Sequence, residues 1–179
     1  MSKINGLSLK SLKKFKDHEG LTCYSGNLYL GRKKIGTWSQ DYMSGPDHFD
    51  LMEPYSEDEL NRRLKELYPN DKTPYGNGYD LECLMCDLLK LSLDEKEFKK
   101  AKKNGYIGIL LVSDGWRELC WALGPEMVGK TKEEILEEME PEIEGAKRKA
   151  KFFRESGRRK HDVDLYIDAN DFVIGKEII

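Results

Sequence analysis

Nowhere in this sequence do apolar residues run on for the roughly 20 positions that a bilayer crossing needs. The opening, MSKINGLSLKSLKKFK, holds no uninterrupted apolar segment, which argues against a secretory signal. Cysteine is sparse: Cys23, Cys83, Cys86 and Cys120 are the whole supply. Without a secretory route they read as reduced thiols in a cytoplasmic protein and not as a disulfide framework. Of the three histidines, His18 and His161 lie in charged segments and receive no role. No serine stands in a G-x-S-x-G setting, so a hydrolase elbow is unsupported. Internal repeats and low-complexity segments are absent as well.

What is present is charge. Charged residues make up 35% of the chain against 39% hydrophobic, and the net charge of −3 hides local blocks. Glu133, Glu134, Glu137, Glu138, Glu140, Glu142 and Glu144 crowd one stretch; Lys147, Arg148, Lys149, Lys151, Arg154, Arg158, Arg159 and Lys160 follow directly. A wholly acidic DNA mimic would lack the second block, and a simple basic nucleic-acid binder the first.

The pattern predicts an α+β fold: an N-terminal antiparallel meander, central helices, an antiparallel hairpin, a long C-terminal helix and two closing strands. Leu7, Leu9, Leu12 and Phe15 mark an imperfectly alternating strand, turned by the DHEG of 17–20. NLYLGRKKIGTWS presents two apolar-rich runs around Gly31-Arg32-Lys33-Lys34, a hairpin, and SGPD (44–47) leads to a short strand through Phe49 and Leu51. Ser56 with Glu59 fits a capping box that opens a helix reaching about Tyr68, where Pro69 stops it. After the turn-rich 69–80, Leu81, Leu84, Met85, Leu88 and Leu89 share a helical face. Ser92 with Glu95 predicts the start of another helix, ending near Asn104-Gly105. Asp114-Gly115 joins two apolar strands as a hairpin placed centrally in a sheet. Thr131 with Glu134 caps a helix to about Ser156, which Pro141 should kink or divide. VDLYID and DFVIGKEI read as two strands around Ala169-Asn170. The chain, 179 residues long, is taken as one compact domain that admits division into a β-rich lobe (1–54) and an α+β lobe (55–179).

Residues 124–131, GPEMVGKT, satisfy the phosphate-loop pattern G-x-x-x-x-G-K-[ST] at every required position. The apolar CWAL before it, the helix after it and Asp168 at the end of VDLYID favour a nucleotide site. Three features oppose it. Met127 and β-branched Val128 fill the middle, where close backbone approach is wanted. The preceding strand is the second arm of an antiparallel hairpin. Too little chain follows for a parallel nucleotide-binding core. Gly124-Pro125 as a turn and Thr131 as a cap explain the same residues, and that reading is preferred; no cofactor is expected.

Cys83 and Cys86 have metal-ligand spacing, but a structural zinc site needs four ligands, so core packing in a leucine-rich helix is preferred. The loop from Trp38 to Asp50 places Asp41, Asp47, His48 and Asp50 where they could gather around a divalent cation and activate water. All four come from one loop, and a surface turn with a solvated His48 is the preferred reading. Trp38, Tyr42, Asp47 and His48 also qualify as a contact surface, since aromatics supply large contact area at low entropic cost. The block containing Lys147, Arg148, Lys151, Arg154, Arg158, Arg159 and Lys160 offers eight cations within fourteen residues. It reads equally as the solvated end of an amphipathic helix or as a phosphate-binding patch.

INGLSLKSLKKFKDHEG and YSGNLYLGRKKIGTWSQDYMSGPDHFD, which cover about the first fifty residues, resemble small proteins of phages and mobile elements of Firmicutes-type bacteria. Some of those are anti-CRISPR inhibitors of Cas9-type effectors. The resemblance implies a non-enzymatic protein of the bacterial host cytoplasm that binds a Cas9-type nuclease or its guide-RNA complex and blocks DNA binding or cleavage. It transfers no functional residue, and the lack of a long apolar run leaves no membrane partner expected. A metal-dependent nuclease or phosphohydrolase using Asp41, Asp47, His48 and Asp50 is the alternative from another class. Another phage or mobile-element module that binds a host factor is the third.

Overall fold

The sequence LSLKSLKKFK cannot alternate cleanly, because Leu9 and Leu12 are separated by two residues where a regular strand would have one. A computed structural model, which describes residues 1–16, 19–41, 45–69, 80–113, 118–146 and 163–175, resolves the misfit as a β-bulge. Lys10 pairs with Asn27 and Lys13 with Ser25, and Ser11 takes the left-handed φ of 54° that lets the extra residue fit. The strand carrying the bulge is β2 (Leu7–Lys16), preceded by β1 (Lys3–Ile4) and followed by β3 (Thr22–Leu30), β4 (Lys33–Ser39) and β5 (His48–Leu51). Four of these, β2 to β5, are the antiparallel meander expected from the sequence, and β1 is an addition to it. β9 (Val173–Ile174) adds a sixth strand parallel to β1, giving the order β5-β4-β3-β2-β1-β9.

One helix and the first part of another, through Leu93, belong with this sheet. α1 (Glu57–Leu67) starts at Ser56, whose hydroxyl accepts from the Glu59 amide at 3.3 Å. Glu59 does not complete the box; its carboxylate accepts from Arg62 and Arg63 instead. α2 (Leu81–Lys103) buries Leu81, Leu84, Met85 and Leu88 completely. Asn61 Oδ1 accepts from the Leu81 amide at 2.7 Å, and Ser2 Oγ donates to the Leu91 carbonyl. The separate helix predicted to begin at Ser92 does not exist. Ser92 lies inside α2 and its hydroxyl donates to the Leu88 carbonyl at 2.7 Å, the back-bond that lets serine sit mid-helix. The end near Gly105 is as expected. Gly105 has φ 89°, its amide donates to the Lys102 carbonyl and the Tyr106 amide to that of Ala101, a Schellman closure.

The chain divides into two units, 1–93 with 172–179, and 94–171. In the second, β6 (Gly108–Ser113) and β7 (Glu118–Leu123) form the predicted antiparallel hairpin; its Asp114-Gly115 turn lies outside the described residues. β8 (Val163–Tyr166) pairs with the other side of β6, so β6 is central. α3 (Lys132–Glu138) ends at Met139, and helical residues 140–146 follow the break. Pro141 sits in the first turn of that second piece, where it has no amide to offer, and divides the helix as expected. Its predicted course to Ser156 lies outside the described residues. Leu110, Val112, Leu123, Met127, Ile135, Ile143 and Ala146 form the core of this unit.

The two closing strands do not pair around Ala169-Asn170. β8 joins the three-stranded sheet, and Ala169–Phe172 coils into a 3-10 turn before β9 leaves for β1. The cause is Asp171, whose Oδ2 accepts from the amides of Ile167 and Asp168 and folds the backbone back on itself.

Candidate functional site

GPEMVGKT spends its amides on itself. Met127 N–H donates to the Gly124 carbonyl, Val128 to Pro125 and Lys130 to Met127, so Pro125–Met127 is a 3-10 turn. Thr131 N–H donates to Glu134 Oε2 at 2.7 Å while Thr131 Oγ1 accepts from the Glu134 amide at 3.2 Å, a complete capping box. The Lys130 ammonium pairs with Glu138. Asp168, the acidic residue counted in favour of a nucleotide site, uses Oδ1 to accept from the Asn170 amide two residues on. The amides of Met127, Val128, Lys130 and Thr131 and the Lys130 ammonium are thus engaged within the loop or the helix it starts, and the turn-and-cap reading accounts for the motif.

The 38–50 segment is rearranged relative to expectation. Trp38, read as a contact aromatic, is 1% exposed. It is core because β4 alternation turns it inward, and its Nε1 donates to Asp47 Oδ2 at 2.7 Å. The Asp47 amide donates to Glu82 Oε1 at 2.8 Å, tying the loop to the first turn of α2. Burial pushes the Asp47 carboxyl above its ordinary value; the Trp38 hydrogen bond pulls the other way, and Glu82 adds to the rise. His48 and Asp50 are exposed on β5, paired with Ser39 and Thr37, while Asp47 is committed to the indole. Among the described residues no group of three or more His, Cys, Asp or Glu side chains is placed to hold a metal ion. Tyr42 lies outside the described residues.

Cys83 and Cys86 are not the buried pair expected. Cys83 is half-buried and Cys86 exposed; three residues apart, they share the side of α2 that faces away from the buried stripe of Leu81, Leu84, Met85 and Leu88. Burial, reinforced by the Asp80 side chain, pushes the Cys83 thiol up to about 11. The basic block with Lys147, Arg148, Lys151, Arg154, Arg158, Arg159 and Lys160 lies outside the described residues. The acidic stretch before it is described. Glu133, Glu134, Glu137, Glu138, Glu140 and Glu142 are exposed, while Ile135, Ile143 and Ala146 are buried and anchor the segment.

One face of the six-stranded sheet escaped the sequence reading. Cross-strand partners project to the same side, so the register builds two rows. One runs Asp50, Thr37, Asn27, Lys10; the next runs His48, Ser39, Ser25, Lys13. Between them lies a depression of about 300 Å³ lined by Ser11, Lys13, Ser25, Asn27, Thr37 and Ser39 together with Gly26 and Trp38. Lys10 Nζ rests 3.9 Å from the centre of the Tyr29 ring, and Lys34 pairs opposite Tyr29. The signal available was local composition: residues 1–41 hold eight Lys and Arg against three Asp and Glu. Scattered along alternating strands, they form no run to catch the eye.

No protein-family model, curated protein or solved structure matches this chain.

Proposed function

We propose that this protein is a non-enzymatic inhibitor that binds a Cas9-type effector, or its guide-RNA complex, and occupies the basic channel that receives DNA. The observation that carries the reading is the outward display of six glutamates between 133 and 142 on a segment pinned by Ile135 and Ile143. Carboxylates at that density imitate the charge of a phosphate backbone and would be drawn to a channel built for one. The resemblance over the first fifty residues supports the same class of target and a bacterial cytoplasmic setting. Asp47, Thr131 and Lys130 are committed internally, so neither the metal-dependent hydrolase alternative nor a nucleotide loop has an assembled centre among the described residues. In this reading the Lys147–Lys160 block grips guide-RNA phosphate or an acidic protein patch. Among the described residues no helix is long and apolar enough to cross a membrane.

The test is direct binding of a Cas9-type ribonucleoprotein to the immobilised chain at low and high salt. Affinity should fall with salt, and Glu133, Glu137, Glu140 and Glu142 changed together to Lys should weaken it at least about tenfold, a loss of roughly 1.4 kcal/mol. Affinity unchanged by that reversal would refute the acidic route.

A further inference from the structure

The polar face of the six-stranded sheet is built in a way that neither folding nor the acidic segment requires. Its floor, Ser25, Asn27, Thr37 and Ser39, consists of short side chains carrying hydroxyl or amide groups. Residues of this kind are unremarkable singly, but here they stand in two adjacent cross-strand rows with cations at the β2 end. The bulge at Ser11 is what places both Lys10 and Lys13 on this side; in regular alternation Lys13 would face the same way as Leu9. Ser11 thus spends a left-handed backbone conformation, unfavourable for a residue with a Cβ, on the arrangement that sets two ammonium groups along one edge.

We infer that this face, with Lys10, Lys13 and Lys34 along its margin and Ser25, Asn27, Thr37 and Ser39 as its floor, is a binding surface for single-stranded RNA. Charge complementarity selects a polyanion, because Lys10, Lys13 and Lys34 stand on this face and Asp50 is the one acidic residue in its two rows. A trough of about 300 Å³ between strands accepts one unpaired nucleotide at a time, whereas a duplex would ride on the lysines above it. Four short donor-acceptor side chains suit a 2′-hydroxyl, which both donates and accepts and is what distinguishes RNA from DNA. Tyr29, already carrying the Lys10 ammonium, supplies an aromatic edge beside the phosphate path. Asp50, at the far end of its row, repels phosphate and confines the strand to the β2 side. The inference stands apart from the proposed effector binding, which rests on residues 133–142.

The experiment is fluorescence anisotropy with a labelled single-stranded RNA of about ten nucleotides, a length that spans one such sheet. The same sequence as DNA, a duplex RNA and a polyglutamate peptide are the competitors. The single-stranded RNA should bind, and each of the three competitors should displace it poorly. Lys10, Lys13 and Lys34 changed together to Gln should weaken binding at least about tenfold and flatten the salt dependence by about 2 in log–log slope, about 0.7 for each lost phosphate contact. Thr37→Val with Ser39→Ala should narrow the gap between RNA and DNA. Photo-crosslinking of 4-thiouridine RNA to the unaltered protein, which needs no variant to fold, should label peptides within 10–39. Crosslinks confined to 147–160, unchanged binding by the triple variant, or equal competition by polyglutamate would each overturn the inference.

Discussion

The indole nitrogen of Trp38 donates to the Asp47 carboxylate across 2.7 Å, so a residue expected to meet a partner instead fastens a loop to its own sheet. The contact fixes the sign of a pH effect. With the Asp47 pKa raised in the fold, chiefly by burial, its ionised form destabilises the native state at neutral pH. That cost disappears as pH falls through the raised pKa towards the ordinary 3.8. Asp47→Asn keeps an oxygen for the indole and carries no charge. Thermal melts should find it at least as stable as the natural chain at pH 7, with the advantage shrinking as the pH is lowered to 4. Asp47→Ala leaves the indole without its acceptor and should cost about 1–3 kcal/mol at either pH.

Thr131 and Glu134 give a second test, separating a helix cap from a phosphate loop. Thr131→Ala should lower stability by about 1 kcal/mol in urea titration, and Thr131→Ser should restore most of it. Lys130→Ala removes an ion pair at the rim of the helix and a weak contact with the Met127 sulfur, and should cost under about 1 kcal/mol. Magnesium-ATP should leave the melting temperature where it was; a rise lost in Lys130→Ala would reinstate the nucleotide site.

Two glycines should answer differently to the same substitution. A Cβ on Gly36 would stand 2.4 Å from the Asp50 carbonyl oxygen and 2.9 Å from the Leu51 Cα. Gly36→Ala must therefore push β5 away, at a cost of about 2–3 kcal/mol. Gly105 has open space around its Cβ position but φ 89°, so Gly105→Ala meets only backbone strain of about 1 kcal/mol. Denaturant melts of the two variants should rank them in that order. Amide exchange should show loss of protection in β5 for Gly36→Ala alone.

Thiol labelling reports on α2. With Cys83 raised to about 11, about one molecule in a thousand carries its thiolate at pH 8. Iodoacetamide on the native protein should modify Cys86 and Cys120, both exposed, well before Cys83 and the buried Cys23. Mass spectrometry of peptides over a time course reads the order. Cys83 reacting as fast as Cys86 would contradict the half-buried placement.

The sequence made the elements legible where local chemistry decides them. Thr131 and Glu134, Asn104-Gly105 and Gly31-Arg32 name their own caps and turn, and Pro141 names its break. It was less legible where a distant partner decides. Ser92 looks like a cap because its hydroxyl has a glutamate three residues on, yet the buried Leu88, Leu89 and Leu91 before it and Phe98 after it carry α2 straight through. Trp38 in a polar loop looks exposed until β3 and β5 are known to flank it. β9 could not be assigned to β1 from sequence, since some 170 residues separate them. The polar face was hidden for the same reason: its two rows are assembled from β2, β3, β4 and β5, and only the register brings Lys13, Ser25 and Ser39 into line.

The claim at the centre is that this protein acts by presenting charge to a partner. Its most direct test is the fraction of labelled target DNA held by a Cas9-type ribonucleoprotein as the protein is added. DNA should be released in proportion to the protein, and the four-glutamate reversal should abolish that release. DNA retention and cleavage unaffected at saturating protein would contradict the account.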